Sequence, residues 1–473
     1  YKLIGKNRYS FEVAKADPSL PIVIDPILQA TYLGGTHSDE ARALAIHPTT
    51  GDVYVAGLTN STNFPKITGG AQASKSRSND AFVSRLNKDL TQILQSTYLG
   101  GSGANGATTL AIHPKTGEVY VAGYTYSTDF PNTAGGAQAA SGGQFDAFVA
   151  RLNPNLTQIL QSTYLGGSNW DEAYALAVHS TKGEVYVAGR TESRDFPRTT
   201  GGAQASFGGR DSDAFVARLN KDLTQILQST YLGGSGADGA TTLAIHPKTG
   251  EVYVAGYTNS TDFPNTTGGA QKDYEGKNDA FVARLNPDLT QNLQSTYLGG
   301  SDDDKAVALA IHPKTGEVYV AGGTDSTDFP NTTGGAQATC NKCFSKDSLF
   351  SSDAFVARLN SNLTQILQST YLGGSGTDQA KALAIHPKTG EVYVAGYTLS
   401  ADFPNTTGGA QKDYGGYGDA FVARLSADLA EGRRSADGGG YRMIGSVSSL
   451  TDAWNILLLL SIPAFVLARR IGG

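Results

Sequence analysis

The 473-residue chain has two cysteines, one methionine and two tryptophans. Two cysteines cannot build a disulfide framework, so the fold must rest on its core. Charged residues make up 17%, with 37 basic against 43 acidic side chains and a net charge of −6. No clustered basic surface is left for phosphate neutralisation, which argues against a nucleic-acid partner. Helical-period stretches of useful length are missing, as are a nucleophile elbow, an HExxH pair and a nucleotide fingerprint. The many Gly-Gly pairs follow strand-like runs, but no helix follows them to bind an anion at its N-terminus. Neither an initiator Met nor a signal peptide precedes Tyr1, so the chain reads as a fragment or a processed product.

Glycine is abundant, at 58 residues, and Tyr (23) and Phe (18) are the large core material. A repeat dominates the chain. YLGG starts at Tyr32, Tyr98, Tyr164, Tyr231, Tyr297 and Tyr371, with spacings of 66, 66, 67, 66 and 74. Each unit passes through four β-type runs, exemplified by ATTLAIH, EVYVAGYT, DAFVARL and QNLQSTYLGG. They are rich in β-branched and aromatic residues, and most alternate as strands do. HPKTGE joins the first two runs, with Gly250 placed to take a left-handed turn position. Four antiparallel strands in sequential units are the grammar of a β-propeller blade. A repeat of ~66 residues is too long for a β-helix or a leucine-rich solenoid.

The predicted fold is therefore all-β: a six-bladed propeller of four-stranded antiparallel blades. The blades span about 41–100, 107–166, 173–233, 240–299, 306–373 and 380–425. The sixth unit has no fourth strand after Leu425, while an orphan fourth-strand copy, ILQATYL at 27–33, precedes the first. Pairing of that segment (27–34) into the last blade is expected to close the ring and remove its edges.

The TYLGG strand, VYVAG strand and T-x-S-x-DFP loop make the chain resemble the bacterial β-propeller repeat family known as SBBP. The resemblance runs from about residue 27 to 425. The family is named for seven blades and its typical members are exported or cell-surface proteins, so it implies that location here. Residues 1–26 look like the tail of a preceding domain, or lead-in strands. Residues 426–449 are a Gly/Ser-rich linker, and 450–473 hold an apolar run (453–468) followed by Arg469 and Arg470. Sixteen residues reach about 24 Å as a helix, against ~30 Å of hydrocarbon. The alternatives are a buried helix or a C-terminal membrane anchor or sorting signal, and the linker and Arg pair favour the anchor.

The link after each YLGG carries an acid or amide: Asp39, Asn105, Asp171, Asp238, Asp304 and Asp378. The N/DFP motif adds Asn63, Asp129, Asp195, Asp262, Asp328 and Asp402 on the same face. Such oxygens suit calcium, with Asp39, Asp171, Asp238, Asp304 and Asp378 as its ligands. They equally suit an Asx-type loop cap in each blade, which recurrence favours. His47, His113, His179, His246, His312 and His386 are spread around a ring and read as turn residues, not a zinc site. Arg85, Arg151, Arg218, Arg284, Arg358 and Arg424 read as inter-blade partners. Blade five has a loop eight residues longer than the others, with Cys340 and Cys343. A redox CxxC belongs at a helix start and zinc needs two more ligands, so in an exported protein a loop-pinning disulfide is expected. Blade three differs at Asn169, Trp170, Asp171 and Glu172, near Arg190, Arg194, Arg198 and Arg210. There Trp170 either meets a carbohydrate or protein or fills the link.

These residues point to a non-catalytic, exported or cell-surface binding module. Its predicted ligand face holds Asp39, Trp170, Asp171, Asp238, Asp304 and Asp378, and its partner is a protein or glycan. No cofactor is implied unless calcium fills the acid ring, and the propeller is expected to be monomeric. The competing reading is a propeller hydrolase or lyase acting on polysaccharide, which requires blade-specific acids across a cleft.

Overall fold

The computed structural model describes residues 29–431 apart from 77, 344–351, 408 and 410, with the backbone of 2–5 and 8–10. It is an all-β, six-bladed propeller, with no helix among the described residues. Blade three shows the plan: Asp171–Val178, Val185–Thr191, Asp213–Leu219 and Ile226–Leu232 form one antiparallel sheet in chain order. The alternation in VYVAG and DAFVARL faces a neighbouring blade on either side, so both faces of these strands are buried. Tyr186 and Val216 pack toward blade four, while Val187 and Phe215 pack toward blade two. The core is thus five inter-blade layers and a sixth cluster on the outward face of blade one, rather than one centre. Ahead of the blades, Lys2–Gly5 pairs with Arg8–Ser10 in a separate two-stranded hairpin.

Local chemistry explains the connections. Gly250 takes φ +74, as its place in HPKTGE requires, and its N–H returns to the His246 carbonyl at 2.9 Å. His246 Nδ1 accepts the N–H groups of Lys248 and Thr249, so the histidines cap turns. The arginines do bridge blades: Arg218 reaches Asp288, and Arg284 Nη1 donates to Asn362 Oδ1 at 2.8 Å. Tyr120, Tyr186 and Tyr253 send their hydroxyls to backbone carbonyls of the next blade, those of Lys221, Pro287 and Ser361, at 2.7–2.8 Å. Every first strand carries a β-bulge against the second, between Ala173 and Ala175 in blade three. A bulge re-aims the extra residue, here Tyr174, toward the propeller centre.

Among the described residues the expected closure is not seen. The sixth sheet has three strands, Asp378–Ile385, Val392–Thr398 and Asp419–Leu425, and residues 29–35 form no strand. Tyr32 is fully exposed. The chain just after it is fastened to blade one instead, with Gly35 N–H on Asp39 Oδ2 at 2.8 Å and Thr36 N–H on Asn63 Oδ1 at 3.0 Å. Blades one and six do not pack face to face as consecutive blades do, and Val422 is 77% exposed. Blade six therefore lacks on its outward face the layer that consecutive blades share, while the outward face of blade one buries Val55, Phe64 and Phe82 with Leu33 packed against them. The linker beyond 431 and the apolar segment at 450–473 lie outside the described residues. Among the described residues no helix is long and apolar enough to cross a membrane.

Candidate functional site

All six blades contribute to one central cavity of about 970 Å³. Its wall is built from the cavity-facing residues of each first strand, the ends of the second strands of blades two, four and five (Tyr124, Tyr257 and Gly323) and the loops beside them. VYVAG, DAFV and YLGG recur unchanged in six copies. Yet all but one of the lining residues, Ala380, stand at positions where the copies differ, although at the Asp304 position only Asn105 departs from aspartate. One position reads Glu40, Gly106, Glu172, Gly239, Lys305 and Gln379; two residues on, it reads Arg42, Thr108, Tyr174, Thr241, Val307 and Lys381. The chain has kept its scaffold constant and varied this wall.

The wall is chemically divided. On one side Phe145 is stacked between Tyr124 and Trp170, with ring centroids 5.1 Å away in each case. Tyr126 meets Phe145 edge-on at 4.3 Å and Trp170 at 6.2 Å. Phe145 is buried, while Tyr126 is 43% and Trp170 47% exposed, so the outer two rings offer open faces supported from beneath. On the opposite side stand Asp303 and Asp325. Burial, then the charges of Asp303 and Asp302, pushes Asp325 up to about 6. Lys305 Nζ lies 4.6 Å from the Tyr257 ring centroid. Desolvation, then Arg190, lowers the pKa of Lys305, and desolvation, then Lys305, lowers that of Lys381. Arg190 pairs with Glu192 at 2.8 Å beside Trp170.

Trp170 and Asp304, among the residues expected at the ligand face, line this cavity. Asp171, Asp238 and Asp378 are wholly buried, and Asp304 is 1% exposed. Each accepts backbone and hydroxyl donors: Asp238 Oδ2 takes Gly234 N–H and Ser260 Oγ, both at 2.8 Å. Asp39 is bound likewise, by Gly35 N–H and Ser61 Oγ, both at 2.8 Å. The DFP aspartates do the same one link further out, Asp195 Oδ1 accepting Ser168 N–H and Oγ at 2.9 Å. These bonds hold the Asp195 pKa below the usual carboxylate range. Among the described residues no three of these acids gather at one point; Cys340, Cys343 and Asp353 do, but the two cysteines are joined in a disulfide. Of the blade-three arginines, Arg190 flanks the cavity, whereas Arg194 covers the Phe207 ring at 5.2 Å. Tyr126, Phe145, Tyr174, Lys305, Asp303 and Asp325 had not been singled out from the sequence. Comparing the six copies column by column carried the signal that would have found them.

Residues 229–264 match the family model described as beta-propeller repeat, SBBP. No curated protein matches the chain. Among solved structures, Kuenenia stuttgartiensis hydrazine synthase is 11% identical, with 78% of this chain and 79% of that chain covered at a TM-score of 0.39. The Neurospora crassa Pan2 WD40 domain is 8% identical over 75% and 74%, also at 0.39. Chaetomium thermophilum Sqt1 is 11% identical over 77% and 82%, at 0.36. Likeness of this degree carries no argument about function. The six recurring units and their antiparallel strand order make this protein a six-bladed β-propeller, one segment of which, residues 229–264, matches the SBBP beta-propeller repeat.

Proposed function

We propose that this propeller is a non-catalytic binding module, displayed outside the cell, that takes a glycan chain at its central cavity. The observation carrying this reading is the coincidence of the cavity wall with the positions at which the six copies differ. A scaffold that only needed to stand would have no reason to vary there. The wall also has the composition such a ligand needs: open aromatic faces at Trp170 and Tyr126 for the apolar face of a sugar ring, and carboxylates and amines for its hydroxyls. Display outside the cell is supported by the Cys340–Cys343 disulfide and by the apolar run at 453–468 with its Arg pair.

A glycan array probed with the full chain, Trp170→Ala and Tyr126→Ala tests the site. Each variant should keep the wild-type melting temperature, because both side chains are about half exposed. Each should lose at least ~30-fold in affinity, or ~2 kcal/mol, as a central aromatic anchor does. Binding indifferent to both changes would move the ligand elsewhere, and turnover of a bound glycan would make the protein an enzyme. Surface proteolysis of intact cells tests the location: full protection of the chain inside the cytosol would sink external display.

A further inference from the structure

Two aspartates from neighbouring blades converge on one glycine at four junctions: Asp146 and Asp171 on Gly166, Asp213 and Asp238 on Gly233, Asp279 and Asp304 on Gly299, and Asp353 and Asp378 on Gly373. All eight are at most 1% exposed. A glycine separates each pair from the backbone. A methyl group on Gly166 would lie 2.5 Å from Asp146 Oδ1 and 2.6 Å from Asp171 Oδ2, and Gly233, Gly299 and Gly373 repeat that arrangement within 2.9 Å. The four third-strand oxygens that face the partner, Oδ1 of Asp146, Asp213, Asp279 and Asp353, accept no hydrogen bond. The junction between blades one and two differs by one residue. There Asn105 replaces the first-strand aspartate, its Nδ2 donates to Asp80 Oδ1 at 3.1 Å, and that oxygen is satisfied. A side-chain amide is the neutral isostere of a carboxylic acid, with a donor where the acid carries its O–H.

We propose that each of the four Asp–Asp pairs holds one shared proton, a carboxylic acid O–H donating to the neighbouring carboxylate, and that these protons fasten the blades to one another. Two buried carboxylates in contact cannot both ionise without a counter-charge. The surrounding groups donate hydrogens to the pairs, such as Gly167 N–H, Ser193 O–H and Gly142 N–H, which suit an anion. The charges facing the pairs do not supply cations in their place. They are the next DFP aspartates Asp195, Asp262, Asp328 and Asp402, with Glu275 at the Asp279 pair. Tyr164, Tyr231, Tyr297 and Tyr371 stand neutral nearby, and Tyr274 lies beside Asp279 and Asp238. Arg194, near Asp213, is the one cation among these groups.

Burial, reinforced by the partner carboxylate or the next aspartate, raises Asp171, Asp213, Asp279, Asp304 and Asp353 to about 7 and Asp238 to about 6. Asp146 and Asp378 shift in the same direction. Each pair titrates as a unit. Because the folded-state values lie above the ~3.9 of an unfolded aspartate, the stability these pairs contribute is complete below about pH 4 and is lost as pH rises through about 7.

The test is the melting temperature of the full chain from pH 5 to 9, with Asp171→Asn, Asp238→Asn, Asp304→Asn and Asp378→Asn combined so that every junction copies Asn105. Wild type should fall by at least ~5 °C more than the fourfold variant between pH 6 and 9. The reverse change, Asn105→Asp, should steepen the fall. Parallel curves would overturn the proposal. So would a rise in the wild-type melting temperature on adding calcium that the fourfold variant lacks, since a metal would then hold the pairs. Infrared spectra of wild type give a readout independent of variant folding. A carboxylic-acid carbonyl band present at pH 6 and lost by pH 9 is expected, and its absence at pH 6 would refute the shared protons.

Discussion

Gly322→Ala should destabilise the propeller by at least ~3 kcal/mol, whereas Gly323→Ala, one residue on, should change it by less than ~0.5 kcal/mol. A Cβ on Gly322 would sit 1.8 Å from the Lys305 carbonyl oxygen and 3.0 Å from the Phe355 ring. That carbonyl lies one residue ahead of the first-strand bulge at Ala306–Ala308, so it cannot retreat without disturbing the pairing that aims Val307 into the cavity. A Cβ on Gly323 meets only Gln379, at 3.5 Å, an ordinary contact with a flexible side chain. Other blades carry Leu58, Tyr124, Arg190, Tyr257 and Tyr397 at this second position, which is the same statement made by the sequence. Urea denaturation of both variants at pH 6 would measure the difference. Equal midpoints would show that the bulge relaxes and that the close approach is not a constraint.

Val216→Asp and Val422→Asp should differ by several kcal/mol, though both replace the same valine of the same DAFVARL strand. Val216 is fully buried in the layer between blades three and four. A carboxylate there meets no partner, and the cost is that of an unpaired buried charge, reduced by whatever the layer gives way. Val422 is 77% exposed on the outer face of blade six, where a carboxylate keeps its water. Val216→Asp should therefore fail to fold or melt far below wild type, and Val422→Asp should melt within a few degrees of it. Circular dichroism melts decide the matter. A severe loss at Val422 would mean that blade six is covered in solution, and the open end described above would be wrong.

The contrast between those two valines separates what each level of structure contributes. The strands, their order and the blade number were legible because they depend on local chemistry repeated six times: β-branched alternation, Gly250 in a left-handed turn, histidines receiving turn N–H groups. Bridging by Arg218 and Arg284 was legible for the same reason, since a charge recurring in one register must meet its counterpart in the next copy. Trp170 stood out as a departure from the repeat, and it lines the cavity. The sequence did not reveal that Tyr126, Phe145, Lys305 and Asp325 share that cavity, because they lie in two blades, the second and the fifth, and only the curvature of the blade row brings those strand ends together. It did not reveal that Asp146 and Asp171 converge on Gly166, because one begins a third strand and the other a first strand of the next blade. The fourth-strand copy at 27–33 was legible as a strand, yet residues 29–35 form none. Strand propensity names the segments able to pair; whether a partner edge lies within reach is a property of the whole row of blades, and here the row leaves blade six with three strands.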